Sequence, residues 1–328
     1  MAKGDARLDI VIDKAQEGKT VLQYIKQNLT ISAAHLKHLK FSDGGIRVNG
    51  GHVTVRYVLR QGDILSLATE DREEDCHIEP CDLPLYIAYE DDECIVPSKP
   101  SNMPTHPSCD HYDDTVANAL AFRYAKEGTP FVFRPVNRLD RNTSGLLLIA
   151  KSRISAGRLS REMANGRIKK AYIAILCGSL PSDEGVIETY MRRTSESIIV
   201  RENCSESDGG DYALTRYKTL LEGGGYSVVA ASPITGRTHQ LRVHFQGLSA
   251  PILGDDMYGM ASELIDRHAL HSTVLSFPDI HGEMVVVKDR IPADMENVIH
   301  RLFVEDISMD MLVEGCRGML FERDPTLI

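Results

Sequence analysis

The loop before residue 146 holds one carboxylate between two guanidinium groups. Asp140 lies between Arg138 and Arg141, and Thr143 follows it. A carboxylate can serve as a nucleophile or as a general base, and nearby cations favour its charged form. An aspartate in a polar loop can also cap the backbone amides of a surface turn while the arginines remain in water. Taken alone the loop indicates such a turn, so a chemical role for Asp140 depends on the rest of the chain.

The residues after this loop predict the elements that hold it. The run 146–150 is apolar, short and preceded by the turn residues at 143–145, which is typical of a buried strand. Ser152 is then a suitable cap for a helix that ends at Gly166. The loop should therefore have a defined position, because it is fixed directly to the core.

The composition is that of a globular protein, and 328 residues leave room for two or more domains with a substantial core. The formal net charge is -10, but positive charge is concentrated in two stretches, 14–67 and 131–170. Two basic stretches in an acidic molecule fit RNA phosphates, while the remaining surface repels non-specific contacts. Ordinary solvated surface charge is the alternative for either stretch.

The sequence predicts a cytoplasmic protein without a membrane span or a metal site. No apolar run reaches the roughly 18 residues of a span, and the N-terminus lacks the apolar segment of a signal peptide. Seven cysteines without the spacing of a disulfide scaffold suit a reducing compartment. Cys76, His77 and Cys81 match no zinc-binding pattern, so no metal is expected.

Residues 1–67 predict a small domain that begins with two helices. Apolar residues recur at helical spacing over 19–29. Ser32 is a suitable cap for a second helix, which would present Lys37 and Lys40 on its outward side.

A hairpin should follow these helices. Asn49-Gly50 is a strong turn signal, with Arg47 on the strand before it and an alternating pattern over 53–59 on the predicted return strand. The arrangement resembles the small RNA-binding domain named after a small-subunit ribosomal protein. That resemblance implies that Lys37, Lys40 and Arg47 contact RNA.

The rest of the chain predicts an α+β fold. An acidic linker is expected at 68–82, where 70–75 carries little apolar content. Beyond it, helical and strand patterns interleave without a strict βαβ rhythm, which favours a large, mixed, mostly antiparallel sheet with flanking helices and loops. The stretch 235–244 is unusually rich in polar and basic residues for a segment flanked by core.

Five motifs follow one another along the chain: Lys-Pro…His-Pro at 99–107, Arg-Leu-Asp…Thr-Ser-Gly at 138–145, Lys-x-Tyr at 170–172, Gly-Arg-Thr-His-Gln-Leu-Arg-Val-His at 236–244 and Ile-Leu-Gly-Asp-x-x-Tyr-Gly at 252–259. In this order they resemble the motifs of the RluA-type pseudouridine synthases, which isomerise uridine in RNA. The resemblance implies a catalytic domain with the pseudouridine synthase fold at 83–294. Residues 295–328 form an extension without a recognised counterpart. The leading RNA-binding domain is similar to the layout of the ribosomal-RNA members.

The resemblance also implies roles for individual residues. Asp140 would act on the ribose of a flipped uridine, either attacking the sugar or abstracting a sugar proton, with Arg242 as its ionic partner. Tyr172 would stack on the base, and Arg138 would fill the gap that the flipped nucleotide leaves. Leu241 would pack the pocket floor. The remaining candidates for RNA contact are Arg141, Thr143, Arg237 and His239. No cofactor is expected, because the isomerisation is redox-neutral.

Some features depart from the family pattern, and some alternatives stay open. Asn137 stands where the family usually has His, and Ser98 and Asn102 replace the common Asn and Gly of the Lys-Pro loop. Large-subunit ribosomal RNA is the first expected substrate and transfer RNA the second, for a monomeric enzyme. An inactive RNA-binding or ribosome-assembly protein is one rival. A glycosidase-like hydrolase is another, but it would need a second carboxylate beside Asp140.

Overall fold

The computed structural model describes residues 7–29, 33–41, 44–68, 77–303 and 307–321. The strands in these ranges form two sheets, one of four strands and one of eleven. Ser32 and the acidic stretch 70–75, for which the sequence predicts a helix cap and a linker, lie outside the described residues.

The smaller sheet is antiparallel and has the strand order β1-β4-β2-β3. Its elements follow one another as β1 (Arg7–Val11), α1 (Val21–Asn28), α2 (Ala33–Phe41), β2 (Ile46–Val48), β3 (Gly51–His52) and β4 (Ile64–Ala68). The two predicted helices are confirmed. Lys37 and Lys40 are exposed on α2, whereas Leu39 is fully buried.

The hairpin turn at Asn49-Gly50 is confirmed, but the long return strand predicted over 53–59 is wrong. Both turn residues have positive φ, 52° and 81°, as a tight hairpin turn requires. After the two residues of β3 the chain leaves the ladder, and the carbonyls of Tyr57 and Val55 accept the backbone N–H groups of Val21 and Leu22. The segment thus satisfies donors in the first turn of α1, which have no partner inside the helix.

The large sheet confirms the predicted α+β class, since all but one of its strand pairs are antiparallel. Its elements are β5 (Tyr86–Glu90), β6 (Cys94–Lys99), α3 (Val116–Lys126), β7 (Ser144–Leu146), β8 (Ile149–Ala150), α4 (Arg153–Ala164), β9 (Lys169–Cys177), β10 (Glu184–Arg193), β11 (Arg201–Cys204), β12 (Asp211–Gly223), β13 (Tyr226–Pro233), α5 (Gln240–Gly247), β14 (Leu270–Pro278), β15 (Met284–Lys288), α6 (Ala293–Leu302) and α7 (Met309–Phe321). The path through the sheet is β11-β10-β12-β13-β9-β14-β7-β6-β5, with β15 on β14 and β8 on β6.

Four central strands bring distant motifs to one end of the sheet. Tyr172 of β9 pairs with Ala231 of β13 on one side and with Ser272 of β14 on the other, and Ser272 pairs with Gly145 of β7. A Cβ at Gly145 would lie 2.3 Å from the Ser272 carbonyl oxygen, so this close approach admits only glycine. The loop before β7 and the loop after β13 therefore meet beside Tyr172.

The C-terminal residues pack on this same part of the sheet. The predicted boundary at 294 falls inside α6, and α7 buries Leu312, Val313 and Met319 in the core cluster that also contains Tyr172. The thiol of Cys316 lies 3.7 Å from the Tyr172 carbonyl oxygen, to which it donates. Helix α7 thus covers the back of the strand that carries Tyr172.

The second basic stretch carries less available charge than its sequence suggests. Lys151 pairs with Glu90 at 3.0 Å, and Arg158 pairs with Glu93. Such pairs offset much of the positive potential around α4. Lys37 and Lys40, by contrast, form no ion pair within the described residues.

Three buried histidines predict a loss of stability in acid. Burial lowers the pKa of His268 and His271 to about 3 and that of His244 to about 4. In the unfolded chain each histidine has a pKa of about 6.5. At pH values between about 4 and 6.5 the unfolded chain therefore binds up to three more protons than the folded chain, and the free energy of unfolding falls as the pH drops. Between pH 7 and pH 5 we expect each histidine to remove about 2 kcal/mol, measurable by urea denaturation.

A matched pair of variants isolates this effect from the titration of carboxylates. The Ser144 hydroxyl lies 2.9 Å from His271 Nδ1. His271→Asn keeps an acceptor for this hydroxyl but removes the titrating ring. This variant should lose about 2 kcal/mol less than the wild type over the same pH interval. His281→Asn, at an exposed site, should behave as the wild type. Equal pH dependence of all three proteins would contradict the prediction.

Candidate active site

A cavity of about 480 Å³ opens where the two loops meet. One wall is the loop before β7, the other is the segment from the end of β13 into α5, and side chains of β9 form the floor. The cavity is lined by His106, residues 135–140, Thr143, Met163, Lys170, Tyr172, residues 233–242 and Leu270. It is the size of a pocket that takes a small organic group such as a nucleoside.

Backbone and buried side-chain contacts fix the loop that carries Asp140. The Thr143 N–H donates to the Asp140 carbonyl at 3.1 Å, and the Thr105 hydroxyl donates to the Leu139 carbonyl at 3.1 Å. The Asp140 side chain is 21% exposed, so its carboxylate is both held by the fold and open to the cavity.

The side chain of Lys99 connects the Lys-Pro loop to the loop that carries Asp140. Its side chain is fully buried, and its amine donates to the carbonyls of Pro100, Met103 and Arg141, each at 2.8 Å. Three acceptors match the three N–H groups of an ammonium. Burial nevertheless lowers the pKa of Lys99 to about 7.

Arg242 faces Asp140, but its principal partner is another carboxylate. Its Nε and Nη2 donate to the two oxygens of Asp255, each at 2.7 Å, while its Nη1 lies 3.6 Å from Asp140 Oδ2. Asp255 is fully buried. Burial alone would raise the pKa of Asp255, but the hydrogen bonds and charge of Arg242 bring it below its usual value. The bidentate pair orients the guanidinium so that its remaining nitrogen points at Asp140.

Tyr172 lines the cavity from β9 and is 6% exposed. Burial raises the pKa of its phenol far above the ordinary value, and the nearby charge of Asp140 acts in the same direction. The hydroxyl is therefore protonated at neutral pH. In this state Tyr172 can stack on a base and donate a hydrogen bond.

His239 is the second group that faces Asp140. It caps α5 in a left-handed conformation, with φ 59°, and its Nε2 lies 3.9 Å from Asp140 Oδ2. Its Nδ1 is 2.8 Å from the hydroxyl of Tyr258. Burial lowers the pKa of His239, which favours the neutral ring.

The structure separates the remaining predicted site residues into three groups. Arg138, Arg237, Leu241 and Thr143 line the cavity. Arg138 is exposed and pairs with no acceptor in the described parts of the chain, whereas Arg237 donates to the Tyr212 carbonyl. Arg141 does not line the cavity and instead donates to the Asn102 side chain. Lys37, Lys40 and Arg47 belong to the small sheet and its helices, outside the cavity.

Sequence reasoning missed several residues that build the site. Asp255 and Tyr258 lie in the motif at 252–259, and Lys99 begins the motif at 99–107. The sequence alone gives none of these three residues an individual role. Lys170 lines the cavity beside Tyr172, with which it shares a strand face. His268 accepts from or donates to the Thr143 hydroxyl at 2.7 Å and has no motif signal at all. Only side-chain contacts reveal such supporting residues.

Comparison with known proteins agrees with this geometry. The family model for RNA pseudouridylate synthase matches residues 93–247. The chain is 36% identical over 285 residues to the uncharacterized RNA pseudouridine synthase YjbO of Bacillus subtilis, a match that covers 85% of this chain and 98% of the relative. It is 32% identical over 301 residues to the ribosomal large subunit pseudouridine synthase D of Vibrio cholerae, covering 87% and 91%.

A solved structure shares the fold. The human RNA pseudouridylate synthase domain containing 1 superposes with a TM-score of 0.55 at 29% identity, over 72% of this chain and 95% of that one. The fold and the matched relatives define an isomerase that converts uridine to pseudouridine. The chain belongs to the RNA pseudouridine synthases, within the RluA type.

Two further observations concern membrane spans and metal ligands. None of the helices in the described residues is long and apolar enough to cross a membrane. In the same ranges, no three His, Cys, Asp or Glu side chains come together as metal ligands would.

Proposed function

We propose that this enzyme modifies large-subunit ribosomal RNA and that Asp140 is its catalytic carboxylate. The observation that carries the proposal is the placement of Asp140, Arg242 and Tyr172 around one cavity, at the meeting point of three motifs far apart in sequence. Support for the RNA class comes from the names of relatives, such as the Vibrio cholerae protein and the ribosomal large subunit pseudouridine synthase D of Borreliella burgdorferi. The latter is 41% identical over 202 residues, which cover 60% of this chain and 61% of that one.

The reaction breaks the bond between N1 of uracil and C1′ of ribose and forms a bond from C5 to C1′. The hydrogen on C5 is replaced, and N1 gains a hydrogen, so atoms and electrons balance without a cofactor. Asp140 acts on the ribose as a nucleophile at C1′ or as a base on a sugar proton. Both routes use the carboxylate, and the Arg242 guanidinium lies 3.6 Å from it.

The uridine must leave the RNA stack to reach Asp140, because Asp140 lies in a cavity and a stacked base cannot enter one. Tyr172 provides an aromatic face for the uracil inside the cavity. Arg138, exposed at the cavity wall, can stack in the space that the nucleotide vacates, since a guanidinium plane replaces a base well.

Residues 1–67 hold the RNA in this proposal. Lys37 and Lys40 present two charges on one exposed face of α2, which suits phosphate contacts. The catalytic stretch 131–170 contributes less, because Lys151 and Arg158 are already paired with glutamates.

Mapping of pseudouridine in total RNA tests the substrate. Cells without this gene should lack one or more pseudouridines in large-subunit ribosomal RNA, and the wild-type gene should restore them. Loss of pseudouridine from transfer RNA alone would overturn the ribosomal assignment. No change in any RNA would favour an inactive RNA-binding protein on the same scaffold.

A further inference from the structure

Tyr258 lies outside the cavity yet contacts both groups that face Asp140. Its hydroxyl oxygen is 2.8 Å from His239 Nδ1, and the guanidinium carbon of Arg242 lies 4.9 Å from its ring centroid. Its backbone N–H also donates to Asp255 at 3.1 Å. Tyr258 therefore contacts His239 and Arg242 through its side chain and Asp255 through its backbone.

The hydrogen-bond partners of this hydroxyl favour one direction for its own hydrogen. The backbone N–H of Arg201 donates to the Tyr258 hydroxyl at 2.8 Å, and a backbone N–H can only donate. Within the described residues the hydroxyl hydrogen has no acceptor other than His239 Nδ1, so donation to that nitrogen satisfies both groups. A neutral imidazole that accepts at Nδ1 carries its hydrogen on Nε2. That N–H is the one that faces Asp140, at 3.9 Å.

Both donors approach the same oxygen of Asp140. Arg242 Nη1 and His239 Nε2 lie 3.6 and 3.9 Å from Oδ2. These separations exceed hydrogen-bond length, but catalytic contacts in unliganded enzymes are often long and tighten when substrate binds. Two donors on Oδ2 would orient the carboxylate and leave Oδ1 for the ribose.

We propose that Tyr258 is a positioning residue: its hydroxyl sets the tautomer of His239, and His239 then orients Asp140 together with Arg242. The inference deepens the proposed function and rests on the role of Asp140 given there. It assigns a purpose to the Ile-Leu-Gly-Asp-x-x-Tyr-Gly motif, whose Asp255 orients Arg242 and whose Tyr258 orients His239.

Three substitutions test separately the Tyr258 hydroxyl, the tautomer of His239 and the N–H group that faces Asp140. Tyr258→Phe keeps the ring under Arg242 and removes only the hydroxyl. His239→Leu removes the donor, whereas His239→Gln places an amide N–H near the Nε2 position without needing Tyr258. We expect about 10-fold to 100-fold lower kcat for Tyr258→Phe and His239→Leu, with little change in KM, because the substrate is bound beside a misoriented Asp140. His239→Gln should retain most of the activity.

A double-mutant cycle tests whether Tyr258 acts through His239. Adding Tyr258→Phe to His239→Gln should cost no further activity, since the amide needs no proton from the phenol. Tyr89→Phe is the matched control: it removes a tyrosine hydroxyl that donates to Asp91 at 2.9 Å, remote from the cavity, and should leave kcat unchanged. If the two losses instead multiply, or if Tyr258→Phe has wild-type kcat, the inference is wrong.

A spectroscopic readout makes the test independent of activity. Nitrogen NMR of protein labelled with ¹⁵N-histidine, with His239→Gln used for assignment, should show His239 with its hydrogen on Nε2 in the wild type. In Tyr258→Phe a mixture of tautomers should appear. A wild-type hydrogen on Nδ1 would overturn the inference even if Asp140 is catalytic, and activity of Asp140→Asn would overturn the catalytic role without altering the tautomer.

Discussion

Asp140→Asn is expected to abolish pseudouridine formation, with kcat lower by about four orders of magnitude or more, while RNA affinity and stability stay close to wild type. An amide can neither attack the sugar nor take a proton from it. The shape of the side chain is retained, and Arg242 keeps its bidentate partner Asp255. Release of tritium from [5-³H]uridine-labelled RNA measures the reaction, because C5 loses its hydrogen when it bonds to ribose.

Two further variants serve as controls for this prediction. Asp92→Asn, at an exposed site away from the cavity, should leave the rate unchanged.

The double variant Lys37→Gln with Lys40→Gln should show the converse behaviour: weaker RNA binding and a normal kcat at saturating RNA. The salt dependence of binding should become shallower by about one unit of slope for each phosphate that is no longer neutralised. An active Asp140→Asn enzyme would refute the catalytic role. Unchanged affinity of the lysine variant would show that Lys37 and Lys40 do not contact the RNA.

Arg242→Met is expected to impair both stability and activity. The substitution leaves Asp255 fully buried without its cation, and breaking a buried pair in this way costs about 3–5 kcal/mol of unfolding free energy. It also removes the nitrogen that faces Asp140 at 3.6 Å, so kcat should fall by about 100-fold or more. Urea denaturation and single-turnover rates measure the two effects.

The double variant Arg242→Met with Asp255→Leu separates the two effects. Removing both charges eliminates the uncompensated carboxylate, so this protein should be more stable than Arg242→Met alone. Its kcat should remain as low as that of the single variant, because Asp140 still lacks its cation. Recovery of activity along with stability would mean that Arg242 serves the fold alone.

The sequence leads to the family because five short motifs resemble those of its members. Asp140 stands between arginines, Tyr172 follows Lys170 by two positions on a strand, and Arg242 lies in a dense polar stretch. The helices with clear caps and apolar spacing are also predictable, as with Ser152, whose hydroxyl accepts the Ser155 N–H at 3.1 Å.

Prediction from sequence fails where an alternating pattern occurs outside a strand. Residues 53–59 alternate in polarity, but the carbonyls of Val55 and Tyr57 accept N–H groups at the start of α1 instead of those of a neighbouring strand. Periodicity describes which side chains are buried and says nothing about which backbone groups find partners across the fold. The same limit hides the placement of Arg141, which turns toward Asn102 and away from the cavity.

By itself the sequence determined the class of enzyme and the α+β fold, and it supplied the candidate site residues as a prediction. The tertiary structure decided which groups stand behind them. Asp255 accepts from two nitrogens of Arg242, and the third nitrogen faces Asp140. Lys99 connects two loops by donating to three carbonyls. The Tyr258 hydroxyl contacts His239, nineteen positions earlier in the chain. Buried polar groups of this kind must find partners wherever the fold brings them, and such partners are set by packing in three dimensions, which no local pattern records.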